Sequence, residues 1–293
     1  ISLYGALDEN DEADFVATKI IELTDHKNKF KDMAVLYRAN FQSRALEEAM
    51  LRYNIPYQVL GVKFFERKEI RDTLAYLRVA LNPESLSDIK RIINFPTRGI
   101  GKVTLTKLFA GEKETLPIKV KIKINNFYEI LSHIKEKIES EKASDVIKFV
   151  VKKSGIEAEL LAGTEEDKER LENIKELRSV AEQFPILVEF LENITLTEKE
   201  SHRKSQIASR HGAVTLMTLH AAKGLEFKTV FVAGMEEGLF PHSRSLMDAE
   251  QMEEERRLCY VGMTRAMDRL YLTYARRRLF FGQYNNNAVS RFL

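Results

Sequence analysis

The 293 residues contain a single cysteine, Cys259, which excludes an internal disulfide framework and a cysteine-cluster zinc site. Its place on an amphipathic stretch makes it a small core residue. Neither charge sign dominates: 46 lysines and arginines face 44 acids, a net charge of +2. Any nucleic-acid binding must therefore rest on local patches rather than on a global field. No apolar run approaches the roughly 20 residues that span a bilayer, and no signal peptide is visible. A reducing cytoplasm is the expected location. A phosphate-binding loop of the Gly-x4-Gly-Lys-Ser/Thr type is also missing. The nearest stretch, Arg98-Gly-Ile-Gly-Lys-Val103, has Pro96 where the first glycine belongs and Val103 where the hydroxyl belongs. Val230 to Glu237 imitates a metal-binding acidic strand end, but Gly234 and Met235 intervene before the acids. No metal site is expected, and the chain cannot by itself cradle nucleotide phosphates in the usual way.

What is present alternates between two textures. Ile1 to Leu7, Met33 to Leu36 and Tyr57 to Leu60 are short apolar runs that read as strands. Helical spacing lies between them, with Asn10 or Asp11 as the expected cap of the first helix. Phe41 to Tyr53 forms a second helix, and Lys68 to Leu81 a third, closed by Asn82-Pro83. From about Glu84 to Arg210 strand-like runs almost vanish and helical spacing dominates, as in Ile124 to Ile138, Ala143 to Val151 and Glu165 to Phe184. Leu116 to Ile124 alternates, which fits a short strand or a lysine-faced helix entry. Thr195 to Arg210 is polar and reads as a linker. The simplest account is an all-α domain, residues 85–210, inserted into an α/β domain made of residues 1–84 and 211–293. The chain opens inside a strand and stops abruptly after Ser290-Arg-Phe-Leu293, so a piece of something longer is expected.

The second part of the α/β domain holds the richest chemistry. Val214 to Met217 is a buried-type strand, followed by the polar stretch TLHAAKGLEF (218–227) and a second strand, Thr229 to Ala233. EEERRLCYVGMTRA (253–266) then forms an amphipathic helix ending on Thr264 and Arg265, and Leu270 to Thr273 is a third strand. Such an order suits a parallel α/β sheet, whose polar strand ends gather ligands at one edge. The loop and the helix end offer Lys223, Glu226 and Arg265 to a phosphate-bearing ligand. Lysine serves there as a point charge and arginine as a planar fork. Taken singly, each is most simply a solvated surface charge, since 31% of the residues are charged. In the insertion, Gly99 and Gly101 around Ile100 let backbone amides approach a phosphate, with Arg98 and Lys102 adding charge.

TLHAAKGLEF and EEERRLCYVGMTRA together resemble motifs V and VI of the UvrD/PcrA/Rep-type superfamily 1 DNA helicases. The resemblance covers essentially the whole chain, densely at 34–78 and 214–282 and more loosely through the insertion. It implies a RecA-like, P-loop NTPase-like parallel-sheet domain (2A) interrupted by an inserted all-α domain (2B). ATP and Mg2+ would be held mainly by a separate N-terminal RecA-like domain, 1A. Arg265 then corresponds to an arginine finger reaching the γ-phosphate. Glu226 corresponds to the acceptor of a ribose hydroxyl, and Lys223 and Gly224 lie near the γ-phosphate. Thr264 would orient the helix end. Arg38 and Asn40 of Tyr37-Arg-Ala-Asn40 would face single-stranded DNA, as would Thr218 and His220. Phe281 would stack on a base, with Phe280 the core neighbour. In Lys63-Phe-Phe-Glu-Arg-Lys-Glu69, another family motif, Phe64 or Phe65 could be packing alone. The turn 98–102 would grip duplex DNA.

The implied whole is an ATP-dependent 3′-to-5′ helicase acting on single strands and duplex junctions beside repair or replication proteins, with no membrane. The fragment alone is expected to be inactive as an ATPase. One rival is a non-catalytic DNA- or protein-binding module of the same fold. Another is a helicase-like subunit of a recombination nuclease, although no nuclease-type acidic cluster follows Arg265.

Overall fold

The structure, a computed structural model, describes residues 1–25, 29–280 and 283–293. In chain order the elements begin β1 (Ser2–Ala6), α1 (Glu9–Asp25), β2 (Met33–Tyr37), α2 (Ser43–Arg52) and β3 (Tyr57–Val59). A helical stretch follows: α3 (Lys68–Leu81), α4 (Leu86–Ile92), α5 (Lys102–Phe109), α6 (Ile118–Ser140), α7 (Ala143–Ser154), α8 (Ile156–Ala162), α9 (Glu165–Ala181) and α10 (Leu187–His211). The chain returns with β4 (Val214–Thr218), β5 (Phe227–Val232), α11 (Ala249–Met263) and β6 (Ala266–Ala275), then β7 (Arg278–Phe280) and β8 (Gln283–Asn285). Two compact units result, Ile1–Phe64 with Thr195–Leu293, and Phe65–Ile194.

In the first unit six strands form one sheet in the order β1-β6-β5-β2-β4-β3, every pairing parallel. Strand side chains alternate between faces, so β2 feeds two cores. Met33, Val35 and Tyr37 pack with Val16 and Ile20 of α1 and Leu46 and Met50 of α2. Ala34 and Leu36 join Leu258 and Cys259 of α11 on the other face. Cys259 is thus the small core residue its spacing predicts. The unit is a RecA-like α/β sheet with helices on both faces. β7 and β8 pair antiparallel as a separate hairpin.

The first helix is capped by Asp8, not by Asn10 or Asp11: its Oδ1 accepts from the amides of both at 3.1 Å. Asp11 instead holds the Leu7 amide at 2.8 Å. Thr195 to Arg210, expected as a linker, is the C-terminal part of α10. Polar residues there still bury a face: Ser201 and Lys204 are buried, and Ser201 Oγ lies 3.2 Å from Tyr57 Oη and accepts from Lys63 Nζ at 2.6 Å. Phe64 and Phe65 are both buried.

The second unit is helical throughout. α3 is buried on nearly every side, with Ile70, Leu74, Leu77 and Val79 fully covered. It packs against α4, α6, α7 and α9. It lies accordingly with the compact unit that begins at Phe65. Its far limit is Ile194, within α10. The alternating stretch Leu116 to Ile124 resolves as the start of α6 rather than a strand. Ile124, Phe127, Leu131 and Ile134 continue it at helical spacing and are buried, whereas Ile118 and Ile122 are exposed. Among the described residues no helix is long and apolar enough to cross a membrane.

Candidate nucleotide and DNA site

The strand register sorts the candidate residues onto opposite edges of the sheet. Thr218 ends β4 level with Tyr37 at the end of β2, and the Leu219 amide donates to the Tyr37 carbonyl at 2.8 Å. Arg38, Asn40, Thr218 and His220 therefore lie at the carboxyl edge. β5 runs parallel to β4 and begins at Phe227, whose amide donates to the Arg265 carbonyl at 2.9 Å beside the start of β6. Glu226 and Arg265 therefore lie at the amino edge. Consecutive parallel strands require the connection to return along the sheet, and residues 219–226 do so without a helix. Lys223 and Gly224 sit exposed on the crossing itself, Gly224 at φ +84° with open space where a Cβ would stand.

The amino-edge group is locally ordered. Arg265 Nε donates to the Val261 carbonyl at 2.9 Å, Nη1 to the Leu225 carbonyl at 3.1 Å, and Nη2 to Thr264 Oγ1 at 3.1 Å. Thr264 Oγ1 donates in turn to the Val261 carbonyl at 3.0 Å, so this hydroxyl shapes the helix end and the guanidinium together. A guanidinium has five N–H donors, so one on each terminal nitrogen is left for an anion. The bond to Leu225 sets Arg265 beside the exposed Glu226. The loop can approach α11 this closely because residue 262 is glycine: a Cβ there would meet Leu219 Cδ2 at 2.2 Å.

At the carboxyl edge Arg38 is engaged rather than open. Its Nη2 and Nε donate to Glu255 of α11 at 2.7 to 3.1 Å, and the two side chains are only 15% and 6% exposed. Gln42 Oε1 accepts from the amides of Arg38 and Ala39 at 3.0 and 2.7 Å, while its Nε2 donates to the Ala233 carbonyl at 3.3 Å. The turn after β2 is thereby fixed to the end of β5. Asn40 and Thr218 are half-buried and His220 is exposed. Phe281 lies outside the described residues.

The family model described as the UvrD-like helicase C-terminal domain matches residues 1–277. The chain belongs to that family. The ATP-dependent DNA helicase PcrA of Staphylococcus aureus (strain Mu50) is 39% identical to it across the whole chain. PcrA of Staphylococcus epidermidis (strain RP62A) is 40% identical, again across the whole chain. In both cases the chain spans only 43% of the relative's length.

In this UvrD-like domain the turn 98–102 is ordered by Arg98 and Asn94. The Arg98 guanidinium is turned inward: Nη1 donates to the carbonyls of Ile92, Ile93 and Pro96, and Nη2 to Tyr76 Oη and the Ser154 carbonyl, at 2.8 to 3.4 Å. Asn94 Oδ1 accepts from the amides of Arg98 and Ile100 at 2.9 Å each, and Ile100 is buried. Arg98 and Ile100 thus build the turn rather than face outward. Gly99, Gly101 and Lys102 remain exposed at the start of α5, and Gly99 holds φ +69°, a conformation that favours glycine. Burial pushes the Tyr76 hydroxyl up to about 12, against the pull of Arg98.

The acidic end of β5 has a structural occupant. Arg278 Nη2 donates to Glu12 Oε2 and Glu236 Oε1 at 2.6 Å each, and all three residues are buried. Burial by itself would lower the arginine, but the two carboxylates hold its pKa well above the ordinary value.

Motif reading misses Glu255, Glu12 and Arg278. A signal was present for two of them. Glu255 falls on the buried stripe of Leu258, Cys259 and Gly262, and Glu12 on that of Ala13, Val16 and Ile20. An acid on an apolar stripe needs a partner.

Proposed function

We propose that this chain is the C-terminal motor half, 2A with the 2B insertion, of an ATP-dependent 3′-to-5′ DNA helicase. The whole protein would translocate on single-stranded DNA and unwind duplex DNA in the cytoplasm during repair or replication. Residues 1–84 and 211–293 would be 2A and residues 85–210 would be 2B. The observation that carries this reading is Arg265, fixed by three bonds at the amino edge of the sheet beside Glu226 and the exposed Lys223. That donor set fits a nucleotide held across a cleft: the leftover N–H groups suit the γ-phosphate oxygens, and the Glu226 carboxylate suits a ribose hydroxyl.

ATP with Mg2+, held mainly by an N-terminal domain 1A, supplies the phosphoryl transfer. This chain's residues position and neutralise. Lys223 and Arg265 meet the charge that spreads over the phosphate oxygens, and Thr264 keeps the guanidinium aimed. Thr218, His220, Asn40 and the turn beside Arg38 hold the single strand at the opposite edge, and Phe281 stacks on a base. Gly99, Gly101 and Lys102 meet duplex phosphates through backbone amides and one ammonium.

The test is DNA-stimulated ATP hydrolysis by the natural uncut protein, wild type against Arg265→Ala. Loss of about 10³-fold or more in turnover, with nucleotide binding still detectable, is expected for an arginine finger. Normal turnover in the variant would sink the assignment. Wild type that binds DNA but hydrolyses nothing would favour the non-catalytic binding module.

A further inference from the structure

Glu255 stands at the carboxyl edge, on the helix that leads to Arg265 at the amino edge. It lies on α11, whose last residue, Met263, is two positions before Arg265. About 12 Å of unbroken helix separates Glu255 from Met263, at about 1.5 Å per residue. At the Glu255 level, Oε1 takes Arg38 Nε at 3.0 Å and Nη2 at 2.7 Å. Oε2 takes Arg38 Nε at 3.1 Å and the His242 amide, also at 3.1 Å. One carboxylate, 5% exposed, therefore joins three separate pieces of chain: the turn after β2, the turn around His242, and the helix leading to Arg265. The turn after β2 is itself stiff, because Gln42 spans from the Arg38 and Ala39 amides to the Ala233 carbonyl.

Only one acid of Glu253-Glu254-Glu255 does this. Glu253 and Glu254 are exposed and pair with Arg256 and Arg257 of their own helix, at 3.5 and 3.3 Å. Such surface pairs contribute little, whereas a fork-on-carboxylate pair out of water fixes geometry as well as charge.

We infer that Glu255 is a positioning residue. Its carboxylate clamps Arg38 and the His242 turn to α11, so that the DNA-side turn and the nucleotide-side Arg265 move as one rigid body. Arg38 then acts through this clamp rather than as an independent contact to the strand. The inference rests on the proposed function, since it assigns what connects that function's two ligands.

The test uses the natural uncut protein and fluorescent single-stranded DNA. Affinity is measured without nucleotide and with a non-hydrolysable ATP analogue, and their ratio expresses the linkage between the two ligands. Glu255→Gln keeps the shape and loses the charge. It is expected to bring that ratio to within about twofold of unity, with Arg38→Ala doing the same and the double variant going no further. Glu255→Asp, a carboxylate too short for the fork, should fall between wild type and Glu255→Gln. A merely structural role would lower the melting temperature of these variants and leave the ratio alone, which overturns the inference. So would additive losses, or an Arg38→Ala that weakens DNA equally in every nucleotide state. Wild type showing neither hydrolysis nor any nucleotide effect on DNA affinity would instead be a failure of the proposed function.

Discussion

Arg278 offers the most demanding test of how this fold is held. The residue opens β7 and sends its guanidinium back between Glu12 of α1 and Glu236 beyond β5. The two carboxylates hold more than the arginine. Glu12 Oε1 also accepts from the Gly234 amide at 2.8 Å and Thr273 Oγ1 at 2.7 Å, and Glu236 Oε1 accepts from the Ala275 amide at 2.8 Å. Arg278→Met replaces the charge with an apolar chain of similar length and leaves two buried carboxylates facing each other. Breaking one buried pair in this way costs about 3–5 kcal/mol. For a unit of this size each kcal/mol moves the melting temperature by about 2–4 °C, so a fall of about 6–20 °C is expected. Thermal unfolding, followed by circular dichroism at neutral pH, reads it directly. Adding Glu12→Gln and Glu236→Gln should restore more than half of it, since the amide oxygens still accept from Gly234 and Ala275 without the charge. A single variant melting within about 2 °C of wild type would refute the claim that this triad anchors the edge of the sheet.

Two further outcomes follow from burial. Tyr76→Phe should cost about 1–3 kcal/mol by thermal unfolding, because Arg98 Nη2 loses the acceptor at 2.8 Å and the Phe95 carbonyl its 2.5 Å donor. Burial, helped by Glu255, pushes the Cys259 thiol up to about 11. Alkylation of the native protein near pH 8 should therefore run about a hundredfold slower than that of an exposed thiol, and more slowly still once burial limits access. The linkage has a definite sign: the neutral thiol is favoured in the fold, so stability is intact below pH 9 and declines as pH rises towards 11. Fast labelling at pH 8 would show that α11 opens.

The sequence by itself determined the local and the chemical. Apolar runs of strand length marked β2, β4 and β5, helical spacing marked the insertion, and the 218–227 and 253–266 stretches marked the family and its candidate residues. These signals are legible because they depend on periods of two or three to four residues and on residue types at fixed short spacing. What the tertiary structure decided was how distant pieces meet. The polar stretch 195–210 is helix, with Ser201 and Lys204 finding buried partners, and α3 packs against α4, α6, α7 and α9. The edge on which each candidate residue lies was fixed by strand register, not by motif order. Arg38 and Glu255 are 217 residues apart and Arg278 and Glu12 are 266 apart, yet each pair shares a hydrogen bond. A buried charge demands a partner, but only the folded chain names which one, because its energy depends on proximity in space and carries no trace along the sequence.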